Sequence, residues 1–142
     1  MSTKNIYEVF ELFESAPTKK EKIEVLQKHA SYALRNLLKG TYDPNIQFVI
    51  ENVPYYSPSD SPPGLSYSSI HNEISRAYLF QKNHPKVDPN LTQQRKEQLL
   101  IQILETLEKK DAEIFVNMIL KKQKVKGLSP SIVKEAFPDL IP

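Results

Sequence analysis

The sequence predicts an all-α fold, a single-domain bundle of six to seven helices with one long Ser/Pro-rich loop. Three observations predict it. Apolar residues recur at i, i+3, i+4 and i+7 along most of the chain, the spacing of one buried helix face. Residues that cap helices stand ahead of those runs. Only one short apolar stretch, residues 46–50, reads as extended.

Taken in order, Ile6, Val9, Phe10 and Phe13 form the first stripe, which must stop before Pro17. Thr18 followed by Glu21 reads as a capping box opening a second helix with Ile23, Val25 and Leu26. Ala30, Ala33, Leu34, Leu37 and Leu38 continue it or make a third, and Gly40 reads as the glycine that ends it. Residues 52–69 hold "SPSDSPPGLSYSS" and predict a surface loop. Tyr55, Tyr56 and Tyr67 in that loop could stack on a base or a partner, though tyrosines more often pin a long loop to its own domain. Helical spacing resumes with Ile70, Ile74, Ala77 and Tyr78. Asn90 reads as the cap of a long helix bearing Leu100, Ile103, Leu104 and Leu107. Asp111 reads as the cap of the next, with Ile114, Phe115, Met118 and Ile119 inward. Ser129–Pro130 opens the last, since serine accepts a backbone N–H and proline is preset for a first turn. The expected core includes Phe10, Leu34, Leu37, Leu104, Phe115 and Phe137.

The 142 residues make one domain with enough chain for a core. With 39% hydrophobic and 25% charged residues, the composition is that of a globular protein. No apolar run reaches the ~18 residues of a membrane span. Cysteine is absent, which excludes disulfides and cysteine-based zinc sites. The net charge is only +2, but it is unevenly spread. Residues 19–39 carry six basic and two acidic groups, and residues 109–134 carry seven lysines against Asp111 and Glu113. Two basic blocks thus flank an acidic middle, a pattern suited either to an anionic partner or to ordinary solvated helix faces.

No catalytic constellation is legible. His29, His71 and His84 lack metal-ligand spacing. The three glycines, Gly40, Gly64 and Gly127, form no phosphate loop. Glu105 and Glu108 share a helix face, as acids do on most surface helices. The expectation is therefore a protein that is not an enzyme and that uses no metal and no cofactor.

The basic tail says more. Lys121, Lys122, Lys124 and Lys126 follow a helix end, where cations also complement the helix dipole. Gly127 and the N–H groups at the next helix start would let an anion approach the backbone. Such a site suits the sequence-independent phosphate contacts of a nucleic acid.

The stretch "KKDAEIFVNMILKKQKVKGLSPSIVKEAFPDLIP" resembles the end of the helical N-terminal DNA-binding domain of phage-type ATP-dependent DNA ligases. There a basic-x-Gly-hydrophobic-Ser turn leads into a short helix. "KKEKIEVLQKHASYALRNLLKGTYDPNIQF" is similar to the opening of the same domain. The likeness covers residues 18–50 and 95–142 and leaves the Ser/Pro loop out. The chain also resembles short uncharacterised proteins of tailed phages of aquatic bacteria.

The Lys-x-Asp-Gly nucleophile motif of the ligases is absent, and the chain stops where their catalytic domain would begin. The resemblance therefore implies a free-standing accessory module that binds duplex DNA without catalysis. Its implied contacts are Lys39 and Tyr42 at the earlier turn, then Lys121, Lys122, Lys124, Lys126, Gly127, Ser129, Ser131 and Lys134. It implies the cytoplasm of an infected host, or the virion, as location. The alternative is a phage protein–protein adaptor or virion component, with a phage or host protein as partner, that kept the scaffold alone.

Overall fold

The computed structural model describes residues 4–62 and 65–142. Pro63 and Gly64, within the Ser/Pro loop, lie outside the described residues, as do residues 1–3. The fold is all-α. Its helices are α1 (Ile6–Ser15), α2 (Lys19–Lys28), α3 (Tyr32–Tyr42), α4 (Ile70–Glu73), α5 (Gln93–Thr106), α6 (Lys109–Ile119) and α7 (Pro130–Ala136). A 3₁₀ segment, Ile74–Phe80, continues α4.

Four of the helices start where a side chain satisfies a free N–H group of the first turn. Thr18 accepts from Glu21 N, Ser31 from Leu34 N, Thr92 from Arg95 N and Ser129 from Ile132 N. The long helix is therefore capped by Thr92. Asn90 instead donates its backbone N–H to Asp88 Oδ1 in the turn before it. The 3₁₀ segment fits its sequence, because its three-residue turn brings Ile74, Ala77 and Phe80 to one buried edge.

The bundle is built around α1, α3 and α6. The first helix packs on α2 and α6, α3 packs on α6 and α4, α5 on α6, and α7 on α2. Phe10, Leu34, Leu37, Leu104 and Phe115 are buried as expected. Phe137 is only half-buried and lies under the Arg35 guanidinium, 5.8 Å from its ring centre. Residues 46–50 are extended, but Phe48 makes only a single antiparallel bridge to Gln81. Val49 N donates to Phe80 O and Lys82 N to Gln47 O, which ties this segment to the end of the 3₁₀ turn.

Gly40 does not end α3, which runs on to Tyr42. A β-carbon there would stand 2.7 Å from Met118 Sδ and 3.0 Å from its Cγ. The glycine is needed because α3 and α6 approach closely at this point, not because the chain turns.

The Ser/Pro loop is held by backbone contacts. Ser57 N donates to Glu105 and Ser68 N to Thr106 O. Tyr56 packs against the core, while Tyr55 and Tyr67 stay 85% and 91% exposed.

Asp111 sits in the first turn of α6 and is 1% exposed. It caps a different helix from the expected one: its carboxylate accepts from Tyr7 N, in the first turn of α1. Burial pushes its pKa up to about 7, against the pull of the Tyr7 amide, and the carboxylates of Glu108 and Glu8 push the same way. Unfolded, the group ionises near 3.8. Between those values the folded chain holds a proton that the unfolded chain has lost. Its contribution to stability is thus complete below about pH 4 and declines as pH rises towards 7. Asp111→Asn keeps an oxygen for the Tyr7 amide but cannot ionise. Chemical denaturation across this range should show a flatter pH dependence for the variant, by on the order of 1–3 kcal/mol.

Candidate nucleic-acid interface

The residues expected to meet DNA divide between two jobs. Lys121 follows α6 in a left-handed conformation, φ +62°, one seldom adopted by a residue with a side chain. Its N–H donates to Met118 O, and the N–H of Lys122 donates to Asn117 O. Those two bonds are the Schellman closure of a helix, with lysine where glycine is usual. Its side chain explains the choice. Lys121 Nζ donates to Gly40 O at 2.6 Å and to Asp43 O at 2.8 Å, carbonyls at the end of α3. Gly40 O needs such a donor because the residue four places on is Pro44, which has no N–H. The ammonium also stands 5.8 Å from the centre of the Phe48 ring. Burial lowers the Lys121 pKa, partly offset by the nearby Asp43 carboxylate.

The neighbouring Gln123 completes the seam, donating from Nε2 to Ile114 O on α6 and to Thr41 Oγ1 on α3. Tyr42 also faces inward. Its ring packs against the core, and burial raises its hydroxyl to about 12. Neither Lys121 nor Tyr42 is therefore presented to an external phosphate.

Gly127 does adopt positive φ, +88°. A β-carbon there would meet only Lys22 and Phe13 carbons at 3.5–3.6 Å, ordinary contact distances. The glycine is required by the turn's conformation rather than by lack of space. Nor is the turn open to an anion: the Lys126 N–H donates to Glu14 Oε2 at 3.0 Å, so a carboxylate of α1 already fills that place. Lys22 locks the same corner, donating from Nζ to Phe13 O and Glu14 O, the last carbonyls of α1. Ser129 uses its hydroxyl on Ile132 N and lies 3.1 Å from that of Ser131. The helix they open, α7, is only seven residues long.

The other lysines remain at the surface. Lys122, Lys124, Lys126 and Lys134 are exposed and Lys39 half-exposed. Among the described residues ion pairs join Lys19 to Glu135, Arg76 to Glu73 and Lys110 to Glu11, and none involves these five. Lys124 shares a shallow hollow with Glu11, Glu14 and Glu113, which lowers the positive potential on that side. Lys39 lines a cleft that holds no carboxylate, and the Lys121 bond to Gly40 ties its segment to the one that carries Lys122.

Sequence reading passes over Lys22, Glu14 and Asp111 as ties between helices. Each acts on a residue distant in sequence or on a backbone atom, which periodicity does not register. Among the described residues no group of three His, Cys, Asp or Glu side chains is placed to hold a metal ion. Nor is any helix long and apolar enough to cross a membrane.

The double role of Lys121 predicts a graded series. Lys121→Met leaves the Gly40 carbonyl without its donor and the Asp43 carbonyl with Ile46 N alone, while keeping the strained backbone, and should cost about 1–3 kcal/mol. Lys121→Gly loses the same donor but relieves roughly 1 kcal/mol of left-handed strain, so it should be the milder change. Lys122→Ala should stay within about 0.5 kcal/mol. Urea unfolding of the three variants checks the order.

A comparison of the chain with curated proteins gives no match. A family model does match, over residues 9–126, from within α1 to the turn before Gly127, leaving α7 outside. That span is most of the chain, and the protein belongs to DUF6433, a family of unknown function.

Proposed function

We propose that the chain is a non-catalytic accessory module that contacts the phosphate backbone of duplex DNA, as an aid to phage replication or repair. The observation that carries this reading is the Lys121–Gly40 bond. It fixes the start of the basic 121–126 segment against the end of α3, so that Lys39 and Lys122 lie on two segments joined at one point. In this reading they form the centre of the contact, with Lys124, Lys126 and Lys134 extending it. Lys121 serves the site by position, holding the segment while its own charge is spent on backbone carbonyls. The resemblance of residues 18–50 and 95–142 to the ligase accessory domain supports the same reading. So does the excess of lysine over acid in residues 109–134.

A second reading, a protein–protein adaptor, draws on the loop. Tyr55, Leu65 and Tyr67 are 70–91% exposed there, and large exposed side chains often mark a contact surface.

Fluorescence anisotropy with duplex, nicked and single-stranded DNA at several salt concentrations separates the two. Each lost phosphate contact should flatten the slope of log K against log salt by roughly 0.9. Lys39→Ala combined with Lys122→Ala should therefore reduce the slope by nearly two, about equally on all sequences. An unchanged slope, or no binding by the parent protein at low salt, removes the DNA reading and leaves the adaptor.

A further inference from the structure

A cleft of about 430 Å³ opens between α3, the extended 46–48 segment, the 3₁₀ turn and the connector that follows it. That volume falls within the range of small-ligand sites. Its lining combines two chemistries. The charged residues in it are Lys39, from α3, and Lys86, from the connector, and no carboxylate lines it. Its aromatic residues are Tyr32, Phe48, Tyr78 and His84. Tyr32 is 67% exposed, although it is an aromatic on a helix whose other large apolar residues are buried. Tyr78 and His84 are already paired, with ring centres 5.1 Å apart and planes inclined at 44°.

The wall is preorganised. His84 Nδ1 accepts from Lys86 N at 3.1 Å, which fixes the lysine-bearing turn relative to the imidazole. Asn83, beside it, holds positive φ, +63°, in the tight turn that returns the chain to the cleft. Lys82 N donates to Gln47 O and Val49 N to Phe80 O, so the connector cannot swing away without breaking that bridge. Behind Phe48 stands the Lys121 ammonium, a further cation close to the same wall.

A concave site with aromatic faces, two lysines and no acid selects a ligand that is both planar and anionic. Aromatic side chains stack on a base whatever its identity, and lysine binds phosphate as a point charge. We infer that this cleft binds a nucleotide, with its base against the Tyr78–His84 wall and its phosphate towards Lys39 and Lys86. The nucleotide is either free or the end of a nucleic-acid strand, since both present the same base and phosphate. This inference does not require the duplex contact proposed above, which needs neither Lys86 nor the aromatic wall.

The test uses the whole chain and four probes: AMP, adenosine, inorganic phosphate and a short oligothymidylate. Binding is followed by NMR shifts of the Tyr78 and His84 ring protons. AMP should shift both rings with saturation, while adenosine and phosphate, each lacking half of the ligand, should bind roughly tenfold more weakly. Lys86→Ala should weaken AMP by about three- to tenfold with no change in melting temperature, because its side chain is exposed. Oligothymidylate binding tighter than AMP, with the same rings shifted, identifies the ligand as a strand end; the reverse order identifies a free nucleotide. Absence of saturable ring shifts with both AMP and the oligonucleotide overturns the inference. So does phosphate alone binding as well as AMP, or Lys86→Ala leaving AMP affinity unchanged. Lys39 belongs to both sites, so the separation rests on the others: Lys86→Ala should leave duplex binding unchanged, and Lys122→Ala should weaken duplex binding while AMP binding is kept.

Discussion

The ammonium of Lys121 is the interaction on which the arrangement of this chain depends. Two helices, α3 and α6, must end near each other, and each leaves carbonyls without partners. Pro44 makes the problem sharper by removing the donor that would have served Gly40 O. One residue answers both needs. Its backbone closes α6 in a left-handed turn, and its side chain closes α3. The strain of a side chain at positive φ is sustained because the side chain is doing work that glycine could not do. Gly40 fits the same logic from the opposite side, since it lets the two helices come close enough for the lysine to reach.

This changes how the charge of the molecule is understood. Both basic blocks contain lysines whose function is internal. Lys22 caps α1 as Lys121 caps α3, and Glu14 answers the N–H of Lys126. The Gly127 turn, an anion pocket by its sequence, is therefore a corner where α1, α2 and the segment before α7 are fastened. In the reading proposed here, Lys39 and Lys122 are left for an external partner, and Lys39 also lines a cleft whose lining holds lysines and aromatic rings but no acid. Charge counted along a sequence cannot separate these populations. A lysine that bonds a backbone carbonyl and one that bonds water are written alike.

The fold was legible because its signals are local. The stripe Ile6, Val9, Phe10, Phe13 and the caps at Thr18 and Ser129 depend on spacings of a few residues, and these stand as expected. Misjudged features are those decided by another part of the chain. Gly40 looks like a helix stop but answers to Met118, nearly eighty residues on. Asp111 sits at the start of one helix yet serves the start of another. Phe137 follows the apolar spacing but lies at the rim, covered by Arg35. The cleft had no sequence signal of its own, because Tyr32, Lys39, Tyr78 and Lys86 come from separate elements. Two clues did exist: a lysine where a helix end favours glycine, and a proline four residues after Gly40.

If Lys121 closes both helices, its ammonium is sheltered and doubly hydrogen-bonded. Nitrogen-detected NMR of the lysine ammonium groups, followed through a pH titration, measures this directly. The account requires Lys121 protons that exchange slowly with water and a group that loses its charge below the ordinary value of 10.5, because burial outweighs the Asp43 carboxylate. A Lys121 signal that exchanges freely and titrates at that ordinary value would contradict it.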